Sequence, residues 1–105
     1  MVVKREGSDS PFPQGQYEEI AYKFNFAPWG GSPSNPSATM WQKQPNGEEV
    51  DTSTANLSGS ESVSGDIVTT PVVLDLLPES VYRLAVNVDI DGNKMEAYIT
   101  LRGER

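Results

Sequence analysis

The sequence predicts an all-β protein: an antiparallel sandwich of about six or seven strands behind a flexible N-terminal arm. Three observations predict it. Two long segments near the end of the chain alternate apolar and polar residues around Asp91-Gly92, the period-two signature of half-buried strands. Breaker-rich stretches around Pro28–Pro36, Gln44–Gly47 and Ser58–Gly65 divide the rest at sandwich-like spacing. No stretch repeats its apolar residues at helical period.

The terminal pair is the best specified. Tyr82, Leu84, Val86, Val88 and Ile90 alternate with polar residues, and Met95, Ala97, Ile99 and Leu101 resume the pattern after Gly92. With Asp91-Gly92 as a two-residue type I′ loop, Val88 opposes Met95, Val86 opposes Ala97, Leu84 opposes Ile99 and Tyr82 opposes Leu101. Every pair is apolar, as one dry face requires. The same register sets Asp89 against Lys94, whereas a loop on Gly92-Asn93 would set Asp89 against Glu96. Like charges opposed across a pair destabilise it, so the first register is expected.

Just upstream stands Leu76-Leu77-Pro78-Glu79-Ser80-Val81-Tyr82. Leu76, Pro78 and Tyr82 resemble the tyrosine corner of fibronectin type III and related immunoglobulin-like domains. The resemblance implies an immunoglobulin-like antiparallel sandwich and a Tyr82 hydroxyl bonded to backbone a few residues upstream.

The chain has 105 residues, one domain's worth, able to bury roughly 60 to 70% of its unfolded surface. Residues 1–16 read as the arm and 17–105 as the sandwich. With no Cys and no His, disulfides, thiolate nucleophiles, Cys/His zinc sites and histidine acid–base chemistry are excluded. Fifteen acidic residues against eight basic ones give a net charge of −7, spread along the chain. That balance favours solubility and disfavours nucleic-acid binding, which needs clustered Lys and Arg. Met1–Glu6 lacks an apolar run of signal-peptide length and no later stretch approaches a membrane span. The expected place of synthesis is the cytoplasm, with no membrane partner.

In chain order, the arm mixes charges with Gly7, Pro11, Pro13 and Gly15, and only Phe12 and Tyr17 could anchor it. It is either a disordered leader or a segment that orders on a neighbouring subunit. A first strand follows over Glu18–Ala27, with Ile20, Tyr22, Phe24 and Phe26 on one face. Within the Pro28–Pro36 loop, Trp29 either lids one end of the sandwich or serves as an exposed contact. Ser37–Lys43 is a second strand, with Ala38 and Met40 on one face and Trp41 on the other or at the sheet edge. Trp41 also resembles the core Trp that fibronectin-like domains carry on an early strand. Gln44-Pro45-Asn46-Gly47 is a turn, returning the chain into a polar edge strand over Glu48–Leu57. Ser58–Gly65 is an exposed loop or frayed edge. Ile67–Leu76 restores apolar density, with Val72, Leu74 and Leu76 alternating against Val73 and Asp75. Pro71 marks an edge, a bulge or the start of the second half.

Asp89-Ile90-Asp91-Gly92-Asn93 looks like the opening of a calcium loop, but the twelfth position is Thr100 and both flanks are strands. Turn chemistry accounts for these residues, and no metal or cofactor is expected. Carboxylates among Glu18, Glu19, Glu48, Glu49 and Asp51 have no evident cleft in which to form a glycosidase pair. Serines without a base partner offer no nucleophile. The reading is therefore non-enzymatic. Small, acidic, cysteine-free immunoglobulin-like domains with an arm and no leader resemble accessory proteins of tailed-phage particles, and the closing Thr-Leu-Arg-Gly-Glu-Arg is similar to such domains. That resemblance implies a virion-associated structural module, docking on protein partners or on itself through the arm and an edge strand. The alternative is a carbohydrate- or surface-binding module that gathers Trp29, Asn35 and Asn46 at one end of the sandwich as a contact patch.

Overall fold

Asp91 and Gly92 take φ values of 50° and 79°, the left-handed backbone of a type I′ turn. The structure, a computed structural model, describes residues 2–6 as backbone and residues 12–105 in full. Among these, the strands are β1 (Val2–Glu6), β2 (Phe12–Gly15), β3 (Ile20–Asn25), β4 (Ser34–Lys43), β5 (Glu49–Asp51), β6 (Leu57–Ser58), β7 (Ser62–Ser64), β8 (Ile67–Val73), β9 (Val81–Ile90) and β10 (Asn93–Glu104). Two sheets face each other. One has the order β1-β10-β9-β4-β5, with β2 also on β10; the other has β3-β8-β6, with β7 also on β8. The fold is an all-β sandwich.

The register of β9 and β10 is the expected one: Val88 faces Met95, Val86 faces Ala97, Leu84 faces Ile99 and Tyr82 faces Leu101. Tyr82, Leu84, Val86, Val88, Ile90 and Leu101 are buried, against Met40 of β4 and Phe24, Phe26, Val68 and Val73 from the facing sheet. On the outer side, Lys94 Nζ reaches Asp89 Oδ1 at 3.3 Å.

The stretch before β9 folds back onto β10. Tyr82 Oη accepts the Leu77 N–H at 3.0 Å. The Ser80 N–H reaches the Leu77 carbonyl at 3.3 Å, and Glu79 sits at φ 66°, the third position of a type II turn that begins at Leu77 with Pro78 second. Two backbone bonds then tie the turn to β10, Glu79 N–H to Gly103 O and Gly103 N–H to Ser80 O, both at 2.9 Å. Gly103 is buried where the two backbones cross, and a Cβ there would run into the Leu77 carbonyl. The close approach requires glycine.

Four sequence expectations are corrected. Residues 12–16, read as part of the arm, belong to the sandwich. β2 pairs in parallel with Leu101–Glu104, β1 pairs in parallel with Lys94–Tyr98, and the Gln16 N–H bonds Glu104 O at 2.6 Å. The remainder of the expected arm, Met1 and residues 7–11, lies outside the described residues. Next, the expected alternation of Val72, Leu74 and Leu76 is broken, because Thr70 and Pro71 together oppose the single residue Tyr22. This bulge, where Pro71 has no N–H to give, passes burial to Val73, and Leu76 is buried beyond the strand end. Thr70 Oγ1 takes up the Tyr22 N–H at 3.0 Å. The edge strand expected over Glu48–Leu57 is limited to β5; one helical turn, α1 (Ser53–Asn56), then carries the chain to the other sheet. Asp51 Oδ1 accepts the Ser53 N–H, and buried Asn56 donates to the carbonyls of Leu74 and Asp75. Finally, Met40 fills the core position that the resemblance gave to Trp41, which lies half-buried on the outer face.

β2 joins the two layers through a buried amide. Gln14 Nε2 donates to Val73 O at 2.9 Å and Glu18 O at 3.1 Å, and its Oε1 accepts the Tyr22 hydroxyl at 2.6 Å. Desolvation, and secondarily the charge of Glu18, pushes the Tyr22 phenol up to about 12 from its ordinary 10.0. The folded chain thus holds this proton more tightly than the unfolded one. Stability is full below pH 10 and falls as pH rises toward 12.

Two outcomes are expected. Gly103→Ala costs about 1–3 kcal/mol in urea unfolding, because backbone must move to admit the methyl group. Tyr22→Phe costs about 1–2 kcal/mol by leaving Gln14 Oε1 without its donor, and it flattens the alkaline loss of stability when unfolding is followed above pH 10.

Candidate functional site

The alternation that sends even-numbered residues of β9 inward sends Arg83 outward, onto the open face of the larger sheet. Trp41 opposes it on β4 and Thr100 on β10. The guanidinium carbon stands 5.7 Å from the Trp41 ring centroid and 5.5 Å from that of Tyr98, within range of cation–π attraction. Arg83 Nε and Nη2 grip Glu49 on β5 at 3.0 Å each, while Nη1 bonds Glu96 on β10 at 3.0 Å. One side chain therefore spans β4 to join β5, β9 and β10. These hydrogen bonds, those donated to Glu49 first, raise the guanidinium still further above its ordinary range. The fork geometry suits Arg and not Lys.

Beside this cluster lies a groove of ≈ 400 Å³ lined by Lys43, Glu49, Arg83, Tyr98 and Thr100 among others. A smaller hollow of ≈ 240 Å³ is lined by Asn35, Ser37, Asn87, Asp89 and Lys94. Both lie on the same sheet. The larger offers the Tyr98 ring and side chains of both charges to a ligand or a partner.

The three residues expected to form a contact patch are divided. Trp29 ends a 3₁₀ turn over Ala27–Trp29 and packs half-buried against the core, its ring edge-on to Phe26 at 5.3 Å. It is a lid over the end of the sandwich where Gly30 approaches Ile90. Asn35 is at that same end. It sits at φ 51° within a bulge of β4 and donates to Asp89 Oδ2 at 3.0 Å. Hydrogen bonds from Asn35, then Lys94, hold the Asp89 carboxyl below its usual range. Asn46 lies at the opposite end, because β4 runs from Ser34 beside Asp89 to Gln42 beside Tyr82, roughly 25 Å at strand rise. Its Oδ1 accepts the Glu48 N–H at 3.0 Å, inside a turn closed by the Gly47 N–H on Gln44 O at 2.9 Å. The calcium-like stretch is the type I′ turn itself. Among the described residues, no three carboxylates gather as metal ligands, and no helix is long and apolar enough to cross a membrane.

Sequence reasoning missed the Arg83 cluster. Within the hairpin the signal was present, since the register that turns Leu84 and Ile99 inward also places Tyr98 diagonal to Arg83. Trp41 and Glu49 could not be added, because their alignment depends on the β4–β9 pairing. No protein-family model matches the chain, and a search of curated proteins finds no match.

Removal of Arg83 tests the cluster's structural weight. Arg83→Ala is expected to cost about 2–3 kcal/mol, since it removes the charge-assisted hydrogen bonds to both Glu49 and Glu96. Arg83→Lys is expected to cost about half as much, a difference that urea titrations of the two variants measure.

Proposed function

We propose that the chain is a non-enzymatic structural or assembly module, an immunoglobulin-like domain of the virion-associated kind that docks on protein neighbours through its N-terminal segment and a sheet edge. The observation that carries this reading is strand addition at β10. Both N-terminal strands lie parallel along it, and main-chain pairing of this sort is available to a neighbour's extended segment as well as to the chain's own. The sheet order supports the immunoglobulin-like assignment, with β10-β9-β4-β5 facing β3-β8. Leu77 N–H on Tyr82 Oη supports it further. The acidic, cysteine-free composition suits a domain that assembles in a reducing compartment.

A second reading, a carbohydrate- or surface-binding module, is favoured by the outward Trp41 and Tyr98 beside the groove at Arg83. Aromatic faces flanked by paired charges suit sugar rings and their hydroxyls.

Sedimentation velocity over a range of concentrations, run beside glycan titrations followed by Trp fluorescence, separates the two. The assembly reading expects concentration-dependent oligomers and no quenching. A single monomeric species at every concentration, with saturable quenching by a glycan, overturns it in favour of the second.

A further inference from the structure

The smaller sheet ends on β3, at six residues the longest edge strand among the described residues. β5, β6 and β7 are shorter. The N–H groups of Tyr22 and Phe26 point to β8, reaching Thr70 Oγ1 and Asp66 O. Main-chain groups alternate in direction along an antiparallel strand, so those of Ala21, Lys23 and Asn25 face the open edge. The side chains of Glu19, Ala21, Lys23 and Asn25 are exposed, and no proline interrupts the run. Among the described residues, neither Glu19 nor Lys23 forms a salt bridge.

We propose that this edge pairs with the same edge of a second copy, antiparallel about a twofold axis through Ala21. The inference rests on the assembly reading and names the edge and the register. Opposed residues in a sheet share a face, so a symmetric pairing must centre on one residue. Centring on Lys23 sets lysine against lysine, and centring on Tyr22 leaves the two lysines as diagonal neighbours. Centring on Ala21 opposes Glu19 of each copy to Lys23 of the other, and puts the smallest side chain of the strand on the axis. In that register the residues whose main-chain groups face the edge oppose one another. Ala21 pairs with its counterpart, and Glu19 with Lys23 on either side, as hydrogen-bonded pairs. Tyr22 and Ile20 then meet on the inner face. The interface is isologous and closes as a dimer, so the edge is consumed and cannot propagate a fibre.

Charge reversal tests the register. In sedimentation equilibrium on the full chain, Glu19→Lys and Lys23→Glu are each expected to raise the dimer dissociation constant by about tenfold or more, since each opposes like charges twice across the axis. The double variant Glu19→Lys/Lys23→Glu restores both pairs and is expected to return the constant to that of the parent, which also excludes misfolding as the cause. If the parent associates but the single reversals leave the constant unchanged, or the double variant does not recover, this pairing is overturned while the assembly reading stands. A parent chain that stays monomeric overturns this pairing, and overturns the assembly reading as well when a glycan also quenches Trp fluorescence.

Discussion

The structure depends on the positive φ of two consecutive residues, Asp91 and Gly92. A two-residue loop with this backbone leaves β9 and β10 one register, and register decides which side chains see water. Slipping it by one residue would expose Leu84 and Val86 and bury Arg83 and Asn87. The dry interior and the charged outer face are thus consequences of the same turn. Asp at a left-handed position costs less than a β-branched residue would, because its short polar side chain tolerates αL. Glycine at the second position removes the cost there.

The two sheets are held at their margins by polar groups that the apolar pattern does not announce. Gln14 is fully buried and spends both ends of its amide, one on carbonyls and one on the Tyr22 hydroxyl. A buried amide so satisfied fixes a single arrangement, since any other leaves it unpaired. At the β8 bulge, Thr70 substitutes for a ladder partner that Pro71 distorts, taking the Tyr22 N–H and giving its own proton to Pro71 O at 2.8 Å. Along β4 the same economy protects an edge: Glu61 Oε2 accepts the Ala38 N–H at 2.6 Å and Ser53 Oγ the Met40 N–H at 2.9 Å. The larger sheet is thereby capped at two points of β4 beyond β5, whereas among the described residues no such cover is found along β3.

What was legible in the sequence follows from how local each signal is. The terminal hairpin, the inward row of β3 and the turn at Asn46-Gly47 are set by neighbours a few residues apart, and all three stand as read. The helical turn at Ser53–Asn56 is too short to show a period, and its stability comes from Asp51 and from carbonyls far along the chain. β2 has Pro13 and Gly15 within four residues, so its propensity argues against a strand; pairing with β10 and burial of Gln14 override it. For the candidate site, the separation of Asn46 from Trp29 and Asn35 could be read only once β4 was aligned on β9. Trp41 shows the limit of resemblance: the residue type matched, but parity placed Met40 in the core.

The most direct test of the account is a set of cross-strand contacts between α-protons in nuclear Overhauser spectra. In the register given by Asp91-Gly92, the non-hydrogen-bonded pairs bring α-protons close. Strong contacts are predicted for Asp89 with Lys94, Asn87 with Glu96 and Ala85 with Tyr98. Contacts between the α-protons of Ile90 and Met95 and of Val88 and Ala97, in place of these, would mean a turn on Gly92-Asn93 and would contradict the register on which the account rests.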